Sequence, residues 1–152
     1  MKSECIFCKI VQGETQSYKI WEDENYLAFL SIYPNTDGAT VVVPKRHLTS
    51  DIFEQANEDV ISLMLATKKV AGLLRAGLED VGRVGLVFEG FEVDHLHAKM
   101  YPMHGTKSDS WEQKISHIDK FFTHYEGYIS SHECHKATAK DLELIQKKII
   151  KG

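Results

Sequence analysis

The segment His95-Leu96-His97-Ala98-Lys99-Met100, which runs on into Tyr101-Pro102, alternates polar and apolar side chains one by one. A period of two is that of an extended strand, so His95, His97 and Lys99 are expected on one face and Leu96, Ala98 and Met100 on the other. Same-face neighbours stand about 6–7 Å apart, which lets one anionic group meet more than one of the three polar heads. Two imidazoles and an ammonium in a row are costly to bury, so their face is expected to be open. The apolar face belongs in a core.

On the amino-terminal side, Arg83 to Phe88 reads as a second strand, joined to the first by a short loop around Gly90. Ala39-Thr40-Val41-Val42-Val43 is β-branched and nearly all apolar, as an interior strand requires, and it follows the turn-rich Tyr33-Pro34-Asn35-Thr36-Asp37-Gly38. Tyr18 to Glu22 and Tyr26 to Leu30 flank the acidic break Asp23-Glu24-Asn25 and read as a hairpin. From Asn57 to about Leu78, Val60, Leu63, Met64, Val70, Leu73 and Leu74 recur at helical spacing, with Asn57 the expected N-cap and Glu58 and Asp59 in the first turn. Thr138-Ala139-Lys140-Asp141 resembles a capping box that opens a C-terminal helix toward Lys151. Gly105 to Ser110 is polar and reads as a loop, and the mixed stretch from Trp111 to His135 fits neither period. The sum is an α+β fold: a five-stranded antiparallel sheet with one long central helix and terminal helical pieces.

A chain of 152 residues makes one domain with a real core. Residues 1–104 are expected to form that core, and 105–152 an extension packed on the same domain. With 43% hydrophobic and 26% charged residues, the composition is that of a folded globular protein rather than a disordered or fibrous one. A net charge of −4 supplies no broad attraction for nucleic acid or acidic membranes, so neither is an expected partner. Any anionic substrate must be met locally. No apolar run reaches membrane-spanning length, and Met1 to Lys9 lacks the apolar core of a secretory signal, so a cytoplasmic location is expected. Three cysteines, Cys5, Cys8 and Cys134, cannot all pair within the chain, and Cys5-x-x-Cys8 in a reducing compartment points to metal or redox chemistry.

These residues together resemble the histidine triad, or HIT, family of nucleotide hydrolases and transferases, whose signature alternates three histidines with apolar residues. Cys5-Ile6-Phe7-Cys8-Lys9-Ile10 with Gly13-Glu14, then Tyr26-Leu27-Ala28-Phe29, Pro34, Gly38 and Val43-Pro44-Lys45-Arg46-His47, are similar to the family's other landmarks and stand in the same order. The resemblance covers roughly residues 5 to 102. It implies a HIT-like homodimer with a five-stranded sheet per subunit and a purine nucleotide beside the motif strand. His97 takes the position of the histidine that attacks the α-phosphorus and is transiently nucleotidylated, a role suited to a neutral ring nitrogen near pH 7. His95 is left to orient it or to bind metal. Phe29, Ser31 and Phe91 fall at nucleotide-contacting positions. Cys5, Cys8, His47 and His95 match a Cys₂His₂ zinc set; otherwise the cysteines are small apolar packing groups, and His132, Cys134 and His135 form a competing set. No organic cofactor is implied.

Three positions depart from the family pattern. Lys99 replaces the third histidine and is expected to act as an electrostatic clamp on a phosphate oxygen, since it cannot exchange protons near neutrality as imidazole does. Ser31 replaces an aspartate that binds ribose hydroxyls, and Phe91 replaces a glutamine near the phosphate. The expected activity is hydrolysis at the α-phosphate of a purine dinucleoside polyphosphate or a nucleoside phosphoramidate. The alternatives are a zinc-stabilised nucleotide-binding module that has lost catalysis and a nucleotidyl transferase or phosphorylase. Trp111 is expected in a core or dimer contact ahead of stacking on a base, and Lys45 and Arg46 either as a solvated charge pair or as an attraction for a polyphosphate. His104, His117 and His124 are expected to be solvated or to cap helices.

Overall fold

The computed structural model describes residues 5–127 and 135–151, so His132 and Cys134 lie outside the described residues. Five strands make one antiparallel sheet: β1 (Lys19–Glu22), β2 (Tyr26–Leu30), β3 (Thr40–Pro44), β4 (Arg83–Val87) and β5 (Ala98–Met103), in the spatial order β1-β2-β3-β5-β4. Helix α1 (Ile6–Val11) precedes the sheet, α2 (Asn57–Gly77) crosses between β3 and β4, and α3 (Ala139–Lys151) ends the described chain. The β1–β2 turn forms because the Asp23 carboxylate accepts from the backbone N–H groups of Asn25 and Tyr26 at 2.9 and 2.8 Å.

The sheet is covered on both faces, which explains why every residue of β2 and β3 is buried. Ala28, Leu30, Val42, Ala98 and Met100 point toward α2 and α3 and join Leu63, Val70, Leu74 and Ile149 in the main core. Leu27, Phe29, Val41 and Val43 point the other way and meet Phe7, Ile10 and Val11 of α1. Alternation along β5 then puts Lys99 and Tyr101 on the α1 side.

Two expected boundaries shift. The motif strand begins at Ala98 rather than at His95; residues 95–97 lead into it outside the ladder, with Leu96 N–H donating to Leu48 O at 2.9 Å instead of to a strand. Asn57 is the first helical residue of α2, and Ala56 caps it without a side-chain bond. The cap at the N-terminus of α3 does form, Thr138 Oγ1 accepting from Asp141 N–H at 3.2 Å. Helix α3 then packs against α2 and β1, so closely that a Cβ on Gly77 would lie 2.2 Å from the Ile149 backbone. Only glycine fits there. Residues 107–127 carry no helix or strand. Trp111, expected in a core or dimer contact, is 75% exposed and stacks under the Arg83 guanidinium at 4.6 Å. No described helix is long and apolar enough to cross a membrane.

Candidate functional site

Residues 95–97 lie before the strand, yet the Phe7 ring of α1 touches both His95 and His97, so the two share the α1 side of the sheet and the face is not open. His95 is 0% and His97 2% exposed, because α1 folds back over them. The expectation of a solvent-facing polar row is therefore corrected: the row is roofed by Phe7, whose ring meets His97 edge-on at 5.3 Å, His95 at 5.9 Å and Phe29 at 5.7 Å. The cost of burying two imidazoles is met by making both neutral and hydrogen-bonded.

Geometry fixes the tautomer of each ring. The Nδ1 of His97 lies 2.6 Å from His95 O; a carbonyl only accepts, so Nδ1 carries the proton and Nε2 keeps a lone pair. That Nε2 is buried and has no hydrogen-bond partner. Burial lowers the His97 pKa and the bond to His95 O opposes this, with the lowering prevailing; the ring is neutral at pH 7. In His95 the order is reversed: Nε2–H donates to Pro44 O at 2.9 Å, which leaves Nδ1 as the lone-pair atom. Burial holds this ring neutral as well.

The His95 Nδ1 faces Cys5 Sγ at 3.4 Å and Cys8 Sγ at 3.6 Å, and Cys8 Sγ faces His47 Nδ1 at 3.4 Å. All four donor atoms lie within 4.8 Å of one another. Tetrahedral zinc with ordinary Zn–S and Zn–N bonds sets its sulfur and nitrogen ligands about 3.6 Å apart, a spacing that these three S···N separations match. The outward Nε2–H of His95 on a backbone carbonyl is the usual way a ligating imidazole is held in place. The Cys₂His₂ group can hold a metal ion. Its ligands come from α1, from the end of β3 and from the motif segment, three places distant in sequence.

Beside the roofed histidines opens a largely apolar cavity of about 250 Å³. Ile6, Phe7 and Ile10 of α1, Phe29 and Ser31 of β2 and its end, and Lys99 and Tyr101 of β5 line it, with Glu92 and Val93 at one side. Ser31 accepts from Tyr33 N–H at 3.2 Å and keeps its own hydroxyl proton for a ligand. Phe91 does not reach the cavity; it is 78% exposed and its ring stacks on Tyr125 at 5.2 Å.

Lys99 differs most from its expected role. Its ammonium lies 2.7 Å from Glu89 and 3.0 Å from Glu92. Burial alone would depress this lysine, but the hydrogen bonds its ammonium donates to the two carboxylates prevail and hold its pKa above the ordinary value. The ammonium is therefore already engaged, and a free electrostatic clamp is not what the structure contains. Gly90 makes the arrangement possible: its φ of +68 and the backbone of Ser50, 2.8 Å from where a Cβ would stand, exclude any other residue, and the turn swings Glu89 and Glu92 to the same side. Sequence reasoning missed both glutamates and the three apolar residues of α1. A signal existed in the Ile6-Phe7 and Ile10 spacing, but nothing local says which surface a six-residue helix will cover. Lys45 pairs with Glu22 at 2.7 Å and Arg46 with Asp59.

Comparison with known proteins agrees with this architecture. The HIT domain family model matches residues 12–105, and the chain belongs to the HIT family. An uncharacterized HIT-like protein of Mycoplasma genitalium is 38% identical over 109 residues, 68% of this chain and 76% of that one. The adenosine 5′-monophosphoramidase of Saccharomyces cerevisiae is 28% identical over 123 residues, 79% of this chain and 77% of the yeast protein. Among solved structures, a zinc-bound histidine triad family protein from Mycobacterium smegmatis superposes with a TM-score of 0.63 at 21% identity, covering 99% of this chain and 96% of that chain.

Proposed function

We propose that this protein is a nucleotide hydrolase that attacks the α-phosphate of a purine dinucleoside polyphosphate or a nucleoside phosphoramidate. The observation that carries this reading is the Nε2 of His97: a buried lone pair without a partner, on a neutral ring, behind Phe7, which lines the largely apolar cavity that His97 itself does not reach. In the first step Nε2 bonds to phosphorus as the bond to the leaving group breaks; in the second, water takes the nucleotidyl group and frees the ring. The flat apolar wall of Ile6, Phe7, Ile10 and Phe29 suits a purine, and the Ser31 hydroxyl suits a ribose oxygen. Phe7 must swing aside before phosphorus can reach Nε2, which makes α1 part of the reaction cycle. The family membership and the yeast relative's phosphoramidase name support the same chemistry.

Zinc is the metal we assign to Cys5, Cys8, His47 and His95, on the strength of the donor types and their tetrahedral spacing. Four protein ligands leave no open position, so its part is to hold α1 in place. A homodimer is the assembly we assign from the family. The roof of Phe7 and the engaged Lys99 also favour one second reading, a module that binds nucleotide without turning it over.

Adenosine 5′-phosphoramidate and diadenosine tetraphosphate, incubated with the wild type and with His97→Ala and His97→Gln, separate these readings. Turnover is expected in the wild type and to fall by about 10³-fold or more in both variants, with circular dichroism unchanged in His97→Gln. Equal turnover in wild type and variants overturns the nucleophile; tight binding with no wild-type turnover establishes the second reading.

A further inference from the structure

Helix α1 joins the thiols of the Cys₂His₂ group to the roof over the histidines. Cys5 stands at its start and Cys8 one turn on, with both sulfurs turned to His95 Nδ1 at 3.4 and 3.6 Å and Cys8 also facing His47 Nδ1 at 3.4 Å. Between them Phe7 covers the His95 and His97 rings and, with Ile6 and Ile10, walls the cavity. The two sulfurs lie within 4.8 Å of each other, and Cys-x-x-Cys opening a helix is a spacing at which two thiols can close a disulfide. They differ in access: Cys5 is half-buried, whereas Cys8 is 7% exposed. The side chains that anchor the roof are thus also the most oxidisable ones near it.

We propose that Cys5 and Cys8 form a peroxide-sensitive switch on this roof: oxidation joins them as a disulfide, the metal leaves, and α1 lifts away from His95 and His97. The inference rests on the zinc assignment above. The exposed partner reacts first. Cys5 Sγ attacks one oxygen of hydrogen peroxide, the O–O bond breaks and hydroxide departs, which leaves a sulfenic acid; Cys8 Sγ then bonds to the Cys5 sulfur and expels a second hydroxide. The sulfurs lose two electrons, the peroxide gains them, solvent protons turn both hydroxides into water, and the zinc departs still as Zn²⁺. Two sulfurs bonded to each other no longer offer the thiolates that a metal binds. His95 Nδ1 is then a buried lone pair without a partner, and lifting α1 lets water supply one. Against this, a six-residue helix holds on through Phe7, Ile10 and Val11 alone. Reduction in the presence of zinc closes the roof again.

The test treats the zinc-loaded wild type and the zinc-loaded Cys134→Ser variant, in which Cys5 and Cys8 are the only cysteines, with hydrogen peroxide. Freed zinc is read with a chromogenic chelator, the thiols by intact mass and peptide mapping, and the roof by hydrogen exchange. Both proteins are expected to release one zinc per chain and to lose two hydrogens in mass, with Cys5 and Cys8 linked in one peptide. Exchange at residues 5–12 should quicken about tenfold or more, in step with the zinc, while β2 and β3 stay protected. Dithiothreitol with added zinc should reverse all three signals. Zinc that stays bound under peroxide, zinc lost without a Cys5–Cys8 link, or a link formed with exchange at residues 5–12 unchanged each overturns the switch and leaves the zinc assignment standing. A chain that takes up no zinc at all overturns the zinc assignment, and the switch with it.

Discussion

His104 donates from both ring nitrogens, to Asp37 O at 2.9 Å and to the Asp80 carboxylate at 2.9 Å, and so joins the turn before β3 to the loop before β4. The bond to the Asp37 carbonyl, with the Asp80 carboxylate behind it, raises the imidazole above its usual pKa. A raised folded-state value means that the stabilisation is complete below the unfolded value of about 6.5 and is lost as pH rises through the folded one. Urea titrations of the wild type and His104→Ala should differ more at pH 6 than at pH 8.5, by under about 1 kcal/mol for so exposed a pair. An equal gap at both pH values would mean that the ring is neutral when folded. Lys99 is the heavier case. Lys99→Met leaves Glu89 buried and unpaired, and should cost about 3 kcal/mol in the same titration, with much of it regained in Lys99→Met/Glu89→Gln. No recovery in the double variant would mean that packing, not charge, makes the loss. The row of His95, His97 and Lys99 was legible residue by residue. What was not legible is that two glutamates from a glycine turn neutralise its third member, because Glu89 and Glu92 carry no period that marks them as inward.

Helix α1 is six residues long, too short to persist alone in water. Its Cys5 and Cys8 face the metal group while Phe7 and Ile10 face the sheet, so one element holds both the ligands and the roof of the cavity. Removing the ion should therefore loosen α1 before anything else. With Cys8→Ser, or after chelation, elemental analysis should lose one zinc per chain, and hydrogen exchange should quicken at residues 5–12 while the amides of β2 and β3 stay protected. Protection of α1 unchanged without metal would leave apolar packing as its sole anchor. At the other end, Thr138→Ala should destabilise by about 1 kcal/mol through loss of the α3 cap, read as a lower urea midpoint. The strands, the long helix and this cap were readable because each is written in local periodicity or a local cap. The start of β5 was not, since whether a residue joins a ladder depends on a partner strand, and His95 to His97 have none.

Across the whole molecule, a three-layer arrangement of α2 and α3, sheet, and α1 places the cavity and the metal group on the face opposite the main core. The cavity and the Cys₂His₂ group thus lie on one side of the sheet and the main core on the other. For the assembly we assign, sedimentation equilibrium should return twice the chain mass of 17.3 kDa, and a mass of one chain at micromolar concentration would remove the dimer. The α+β class and the order of the strands' apolar runs follow from the sequence by itself, because period and turn chemistry are properties of neighbouring residues, while the family and the grouping of Cys5, Cys8, His47 and His95 were legible only as a resemblance. Only the folded chain decided that α1 closes over the histidines, that His97 keeps its lone pair on Nε2, and that Lys99 is paired with glutamates, because burial, tautomer and ion pairing depend on atoms brought close from far along the chain.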